Sequence, residues 1–198
     1  MKIFFETAPL YPAARVVDMI HARELGQPGC YAWFFGADAL RQLAGTIQEL
    51  PPLHLERCCS RGDLVLLYIG TSSAKGLAAG CEKPRSLRSR LKNHLLGTAA
   101  RSTLRRSLGL LLGQHLRPYK TKFRLDDEDA LSRWMQANAH VCFAETDDPD
   151  VLESSVLAKT AFFFPLNLRD NAVLASGNHT PEKKWLLALL QLRRISQK

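Results

Sequence analysis

Several things are missing from this chain of 198 residues. No apolar run approaches the ~20 residues of a membrane span. Met1 to Phe5 is too short for a signal-peptide core, and no small-residue cleavage site follows it. A cytoplasmic protein is expected. The five cysteines, Cys30, Cys58, Cys59, Cys81 and Cys142, are odd in number and lack C-x-x-C spacing. They read as reduced thiols, not as a disulfide framework. The six histidines form no H-x-x-x-H or H-E-x-x-H pattern, which speaks against zinc. His140 and Cys142, two apart, read as structural. There is no G-x-S-x-G, no P-loop and no dinucleotide fingerprint. A small-molecule hydrolase or an adaptor therefore has no motif behind it. No internal repeat or low-complexity tract is present.

Acid is also missing, over one long stretch. From Lys83 to Arg124 there are twelve Lys or Arg and no Asp or Glu. From Asp126 to Glu153 the balance reverses, with nine acids against Arg133 alone. The whole chain carries a net charge of +8. A one-sided basic block attracts polyanions, and nucleic acid is the leading partner. A membrane surface fits less well, because no helix here sets a basic face against interfacial aromatics.

What is present is the patterning of one α+β domain over residues 1–198. Residues 13–25 read as a helix with Val16, Val17 and Ile20 on one side. Gly29 to Phe35 is an aromatic-rich strand between Pro28 and Gly36. Asp38 to Leu43 suggests a short helix, and residues 44–62 read as loop around Pro51-Pro52. Residues 63–70 form an apolar run of strand length. Residues 71–83 read as a mobile loop. Ser86 caps a helix over 87–96, ended by Gly97, and Ser102 caps the next, with Leu104, Leu108 and Leu111 in line. Asp126 to Asp129 place acid in the first turn of another helix. Val141 to Glu145 is a third strand. Pro149 opens a helix to about Phe162. Thr180-Pro181 opens the last, with Trp185, Leu189 and Leu192 apolar and Arg193 and Arg194 near its end.

Four kinds of residue in this frame carry chemistry. Arg90 and His94 lie one turn apart beside the apolar stripe of Leu87, Leu91 and Leu95. A planar, permanently charged guanidinium there suits a phosphate. Glu153 falls between Val156 and Leu157 on its helix, inside an apolar arc. A carboxylate so placed must be paired, hydrogen-bonded or metal-bound. Tyr31 and Tyr68 stand on strands. A phenol titrates near ~10 and works as a base only in a cationic field, which the basic block supplies. Histidine titrates near neutrality, so His94 is a second candidate base. Gly70 ends its strand and allows backbone to approach a ligand closely.

In order, Gly29-Cys30-Tyr31, Tyr68-Ile69-Gly70, Arg90-x-x-x-His94, Glu153 and Pro165-Leu166-Asn167 resemble the GIY-YIG nuclease superfamily over roughly residues 29–171. The resemblance implies a small, mainly antiparallel three-stranded sheet flanked by helices. An N-terminal extension (1–28) and a C-terminal helix (about 181–195) would be added to it. It implies an endonuclease that hydrolyses phosphodiester bonds. Glu153 would hold Mg²⁺ or Mn²⁺, and Arg90 would stabilise the scissile phosphate. Tyr68 would lie beside that phosphate, and Tyr31, or His94, would act on the nucleophilic water. Asn167 would order the site, with Asn171 competing for that place. Gly70, Arg88, Lys92, Arg101, Arg105 and Arg106 would bind nucleic acid. DNA is favoured over RNA from family usage, and a homodimer is a further option. The rival is a catalytically inactive nucleic-acid-binding module of the same fold. The chain departs from the family pattern in two places. Cys30 replaces the middle isoleucine of the first motif, and residues 36–62 are an insertion between the two tyrosine strands. That insertion is either a target-recognition element or a decoration.

Overall fold

The computed structural model describes residues 3–45, 50–72, 85–159, 162–168, 172–175 and 180–196. In chain order they form α1 (Phe4–Thr7), β1 (Leu10–Pro12), α2 (Ala13–His21), β2 (Gly29–Phe35), α3 (Ala37–Gly45), β3 (Ser60–Arg61), β4 (Leu64–Thr71), α4 (Leu87–Leu95), α5 (Thr103–Leu111), β5 (Leu116–Tyr119), β6 (Lys122–Leu125), α6 (Glu128–Asn138), β7 (Ala139–Glu145), α7 (Pro149–Lys159), α8 (Ala172–Ala175) and α9 (Pro181–Ile195). A one-turn 3-10 helix lies at Leu55–Arg57. No described helix is long and apolar enough to cross a membrane. The loop expected at 71–83 falls almost wholly outside the described residues, as does Asn171.

The expected three strands are present, but the sheet is larger than three. Five antiparallel strands run in the order β1-β7-β2-β4-β3, and β5 and β6 pair separately. The two added strands, β1 and β3, are three and two residues long. Segments so short show no period in sequence and exist only because a longer strand offers them an edge. The β5–β6 ribbon escapes notice for another reason. It carries Pro118, which argues against a strand, and turns at Lys120, a non-glycine residue with φ 54°. Helix α2 ends at His21, short of the expected residue 25, because Arg23 and Leu25 take left-handed φ values of 62° and 61°.

Every residue of β2 is buried, since the sheet is covered on both faces. Tyr31, Trp33 and Phe35 face the larger core with α2, α4, α5 and α6. Ala32 and Phe34 face a smaller core with Leu66, Ile69, Phe5, Val156 and Phe164. One bulge decides where the second tyrosine points. Phe34 pairs with Leu66 and Trp33 with Tyr68, so Leu67 is an extra residue in β4. In a strand of regular alternation Tyr68, two residues after Leu66, would share the smaller core. With the extra residue, Tyr68 crosses to the face of Tyr31.

The insertion is built into the domain. Ala39, Leu40 and Leu43 of α3 are buried in the larger core. At its far end Arg57 pairs with Glu182 of α9 at 2.8 Å. The Arg57 carbonyl also accepts from the Phe163 N–H at 2.8 Å. Within the stretch 44–62 that reads as loop, the described residues include the 3-10 turn at Leu55–Arg57 and strand β3.

Candidate active site

Ser86 caps α4 as its sequence suggests, its Oγ accepting from the Ser89 N–H at 3.3 Å. Leu87, Leu91 and Leu95 then bury, and Arg90 and His94 are carried over the sheet. His94 Nε2 lies 2.7 Å from Tyr31 Oη, and its Nδ1 lies 2.7 Å from Ser102 Oγ. The Tyr68 ring packs edge-on to His94 with centroids 6.1 Å apart, and the Tyr31 and Tyr68 centroids are 6.5 Å apart. The two tyrosines, Arg90 and His94 therefore form one cluster on one face of the sheet.

The proton positions follow from the partners. The Arg90 charge acts on the Tyr31 hydroxyl, and the Arg90 Nε donates to the Thr71 carbonyl at 3.2 Å. A nearby cation that carries only donors favours the Tyr31 rotamer that turns the oxygen lone pairs toward Arg90 and the hydrogen toward His94. The single Tyr31 proton is then donated to His94 Nε2. That assigns the neutral tautomer with hydrogen on Nδ1, donated to Ser102 Oγ. Burial, then the Arg90 and Arg105 cations, holds His94 well below the usual imidazole pKa. Burial raises both phenols: Tyr31 against the Arg90 cation, and Tyr68 against Arg90 and a hydrogen bond to Thr103. At neutral pH the cluster holds two phenols and a neutral imidazole. Tyr31 and His94 have no exposed surface, and Tyr68 keeps 9%. Tyr68 is thus the phenol nearer solvent, its ring tilted against that of Tyr31.

Gly70 plays a different part from the one its position suggests. A Cβ there would lie 2.7 Å from Tyr31 Oη and 2.8 Å from its Cζ. Tyr31 pairs with Gly70 across the ladder. The space that reads as room for a ligand is filled by the Tyr31 ring, which leans across on its way to His94.

Glu153 approaches from the other side. Its helix α7 packs on the smaller core through Val156, at the end of the sheet where Cys30 pairs with Thr71. Glu153 is half-buried, and its charge acts on Arg90 and both tyrosines. Cys30 faces α7, away from Tyr31, and donates its Sγ–H to the Pro149 carbonyl at 3.2 Å. Burial, then the Glu153 charge, pushes its thiol to about 12, so it is inert. No group of three or more His, Cys, Asp or Glu gathers among the described residues. One carboxylate still fits a hard cation whose other ligands are substrate phosphate oxygens and water, the usual Mg²⁺ arrangement.

Asn167 is 8% exposed and holds the second motif in place. Its Oδ1 accepts from the Ile69 N–H at 2.9 Å and its Nδ2 donates to the Ile69 carbonyl at 2.8 Å. The Leu166 N–H adds a bond to the Leu67 carbonyl at 3.0 Å. The side chain replaces a neighbouring strand on the free edge of β4, next to Tyr68.

The basic residues separate into two groups. Lys92 and Arg101 are exposed, and Arg88 is half-buried with its Nη1 donated to the Arg23 carbonyl at 2.8 Å. Arg105 is fully buried, which overturns the expectation that it meets nucleic acid. Its Nη2 donates to Glu128 Oε2 at 2.9 Å, and its Nη1 to the His94 carbonyl at 2.9 Å and Ser132 Oγ at 3.0 Å. It fastens the end of α4, and so His94, to the start of α6. Arg106 is half-buried, with Nη2 donated to the Ala99 carbonyl at 3.3 Å.

Sequence reasoning found Ser102 as a helix cap but not as the partner of His94. Its Oγ does both, accepting from the Arg105 N–H at 3.0 Å. Gly97 brings the two together: a Cβ there would meet the Asn93 carbonyl oxygen at 2.5 Å. Thr71 and Thr103 had no signal, since only folding brings them to Arg90 and Tyr68.

Neither the curated proteins nor the solved structures contain a match to this chain. A family model described as the GIY-YIG catalytic domain matches residues 29–186, which include both tyrosine motifs, Arg90, His94, Glu153 and Asn167. The chain belongs to the GIY-YIG family, a family of nucleases.

Proposed function

We propose that the protein is a metal-dependent endonuclease that hydrolyses phosphodiester bonds, with DNA favoured over RNA by family resemblance. The observation that carries this is the hydrogen-bonded line of Tyr31, His94 and Ser102, with the Tyr68 ring packed against Tyr31 and His94 and the Arg90 charge acting on both phenols. Arg90 docks the scissile phosphate. Its charge is fixed, and its fork matches phosphate oxygens. Glu153 holds Mg²⁺ or Mn²⁺, which when bound supplies Lewis-acid charge to the phosphate oxygens.

The attacking water gives its proton to Tyr68 Oη, as Tyr68 passes its own to Tyr31 and Tyr31 passes its own to His94 Nε2. The water oxygen bonds to phosphorus while the bond to the leaving sugar oxygen breaks. His94 is a weak base in the free protein because it is buried, with Arg90 and Arg105 adding their positive charges. A phosphate docked on Arg90 offsets the Arg90 charge and raises His94 toward the range in which it accepts the proton. Tyr31 and His94 thus act as one unit, which replaces the choice between them.

The test is cleavage of duplex, branched and single-stranded DNA and of RNA, with Mg²⁺, Mn²⁺ or EDTA. Glu153→Gln should lower cleavage by orders of magnitude and leave binding in EDTA unchanged or slightly tighter. Intact metal-dependent cleavage by Glu153→Gln rejects the mechanism. Binding without cleavage by the wild type favours the inactive binding module. A homodimer would show as a second-order dependence of double-strand cutting on protein concentration.

A further inference from the structure

The stripe of α9 that faces the core runs Glu182, Leu186, Leu189 and then, one turn on, Arg193. The first three are buried and Arg193 is half-buried. A long cation at the end of an apolar stripe is turned inward, toward α5, against which α9 packs. On α5 the residue that meets it electrostatically is Arg106. Arg106 Nε is buried without a hydrogen-bond partner, and Nη2 has only the Ala99 carbonyl. Among the described residues no carboxylate pairs with Arg106 or Arg193. The Arg193 charge also feels Tyr68, the more exposed phenol of the active site.

Two half-buried guanidinium groups without a counter-ion cost stability through desolvation and mutual repulsion. Burial, then Arg106, lowers Arg193 to about 10. Compare Arg105, which is more deeply buried and is matched by Glu128. A fold that neutralises one arginine and leaves the adjacent pair unmatched has kept a place for an anion. Tyr68 and the buried faces of α4, α5 and α9 share one core, so that anion would lie on the sheet face where a phosphate docks on Arg90.

We infer that Arg106 and Arg193 form a second phosphate subsite, which grips a backbone phosphate flanking the scissile one. This rests on the nuclease reading for its substrate but not for its anion chemistry. Arg193 lies beyond residue 186, where the catalytic-domain match ends, so this chain's own C-terminal helix completes the substrate cleft.

The test uses the full chain as wild type, Arg193→Gln, Arg193→Lys and Arg194→Gln, the last being the exposed neighbour. Oligonucleotide affinity is measured against salt in EDTA, and melting temperature is measured with inorganic pyrophosphate against chloride at equal ionic strength. The expected slope of log K against log salt for Arg193→Gln is shallower than wild type by about 0.7–0.9, one lost phosphate contact. Arg193→Lys restores most of that slope, and Arg194→Gln matches wild type. Pyrophosphate should raise the melting temperature of wild type more than that of Arg193→Gln. Without anion, Arg193→Gln should melt at or above the wild-type temperature, because a repelled cation is gone. A wild-type salt slope in Arg193→Gln overturns the subsite, as does a lower anion-free melting temperature, which would mark a structural arginine. If the wild type binds no nucleic acid, the pyrophosphate comparison decides alone: a shift lost in Arg193→Gln keeps the subsite while the nuclease reading falls, and equal shifts overturn it.

Discussion

Gly70→Ala is the sharpest test of how the tyrosines are held. The new Cβ would lie 2.7 Å from Tyr31 Oη, 2.8 Å from Cζ and 3.0 Å from Cε2. Ordinary contact begins at 3.4 Å, so the ring must retreat about 0.7 Å. It has nowhere to go: Tyr31 is fully buried, with the His94 ring centroid at 5.3 Å and that of Tyr68 at 6.5 Å. Overpacking of this kind costs about 1–3 kcal/mol, and each kcal/mol lowers the melting temperature of a domain this size by about 2–4 °C. The 2.7 Å contact between Tyr31 Oη and His94 Nε2 would open. A misplacement approaching ~1 Å costs on the order of 100-fold in rate. Equilibrium unfolding in urea and the metal-dependent cleavage rate read the two effects. A double-mutant cycle isolates their cause. In a Tyr31→Ala background the obstruction is gone, and Gly70→Ala should become neutral or stabilising by about 0.5–1 kcal/mol, the strand preference of alanine over glycine. Tyr31→Phe keeps the Cζ and Cε2 contacts, so most of the cost should remain. A Gly70→Ala protein with wild-type stability and cleavage would refute the packing argument. So would an equal cost in the Tyr31→Ala background.

Other expectations follow from the same site. Cleavage requires neutral His94, whose pKa in the free protein is depressed, so the acid limb of the pH profile of kcat/KM should lie well below pH 6.5 and disappear from the residual activity of His94→Gln. The stability effect has a definite sign. The unfolded chain binds a proton near pH ~6.5 that the native state refuses, so this contribution to stability is lost as pH falls below that value. Urea midpoints between pH 7 and 5 should fall less steeply in His94→Gln than in wild type. Arg105→Ala strands the Glu128 carboxylate, which is 15% exposed, and should cost about 3–5 kcal/mol. If Arg105→Ala instead weakens nucleic-acid binding at wild-type stability, its placement as a structural cation is wrong. Glutamate at the exposed Lys92 and Arg101 should leave the urea midpoint nearly unchanged and weaken binding to all sequences alike. A sequence-dependent loss there would show base reading in place of phosphate contact.

The sequence by itself determined whatever is local. Helix starts were legible because a cap touches a backbone N–H three residues away. Ser86, Ser102 and Thr180 all accept that bond, and Asp127 caps within the acidic turn. The three long strands were legible because each is a sustained apolar run. The family was legible because Tyr31, Tyr68, Arg90, His94 and Glu153 occur in order, whatever their geometry. Only tertiary structure decided what depends on partners distant in the chain. The extra residue at Leu67 sets the face of Tyr68, and no composition marks a bulge that exists only against β2. Arg105 and Arg101 are the same residue in the same basic block. One is buried because Glu128, 23 residues on, meets it, and the other is exposed. Asn167 looks like a turn residue until Ile69, 98 residues away, offers its N–H and carbonyl. Burial and pairing are properties of two segments at once, and a chain read one segment at a time does not hold that information.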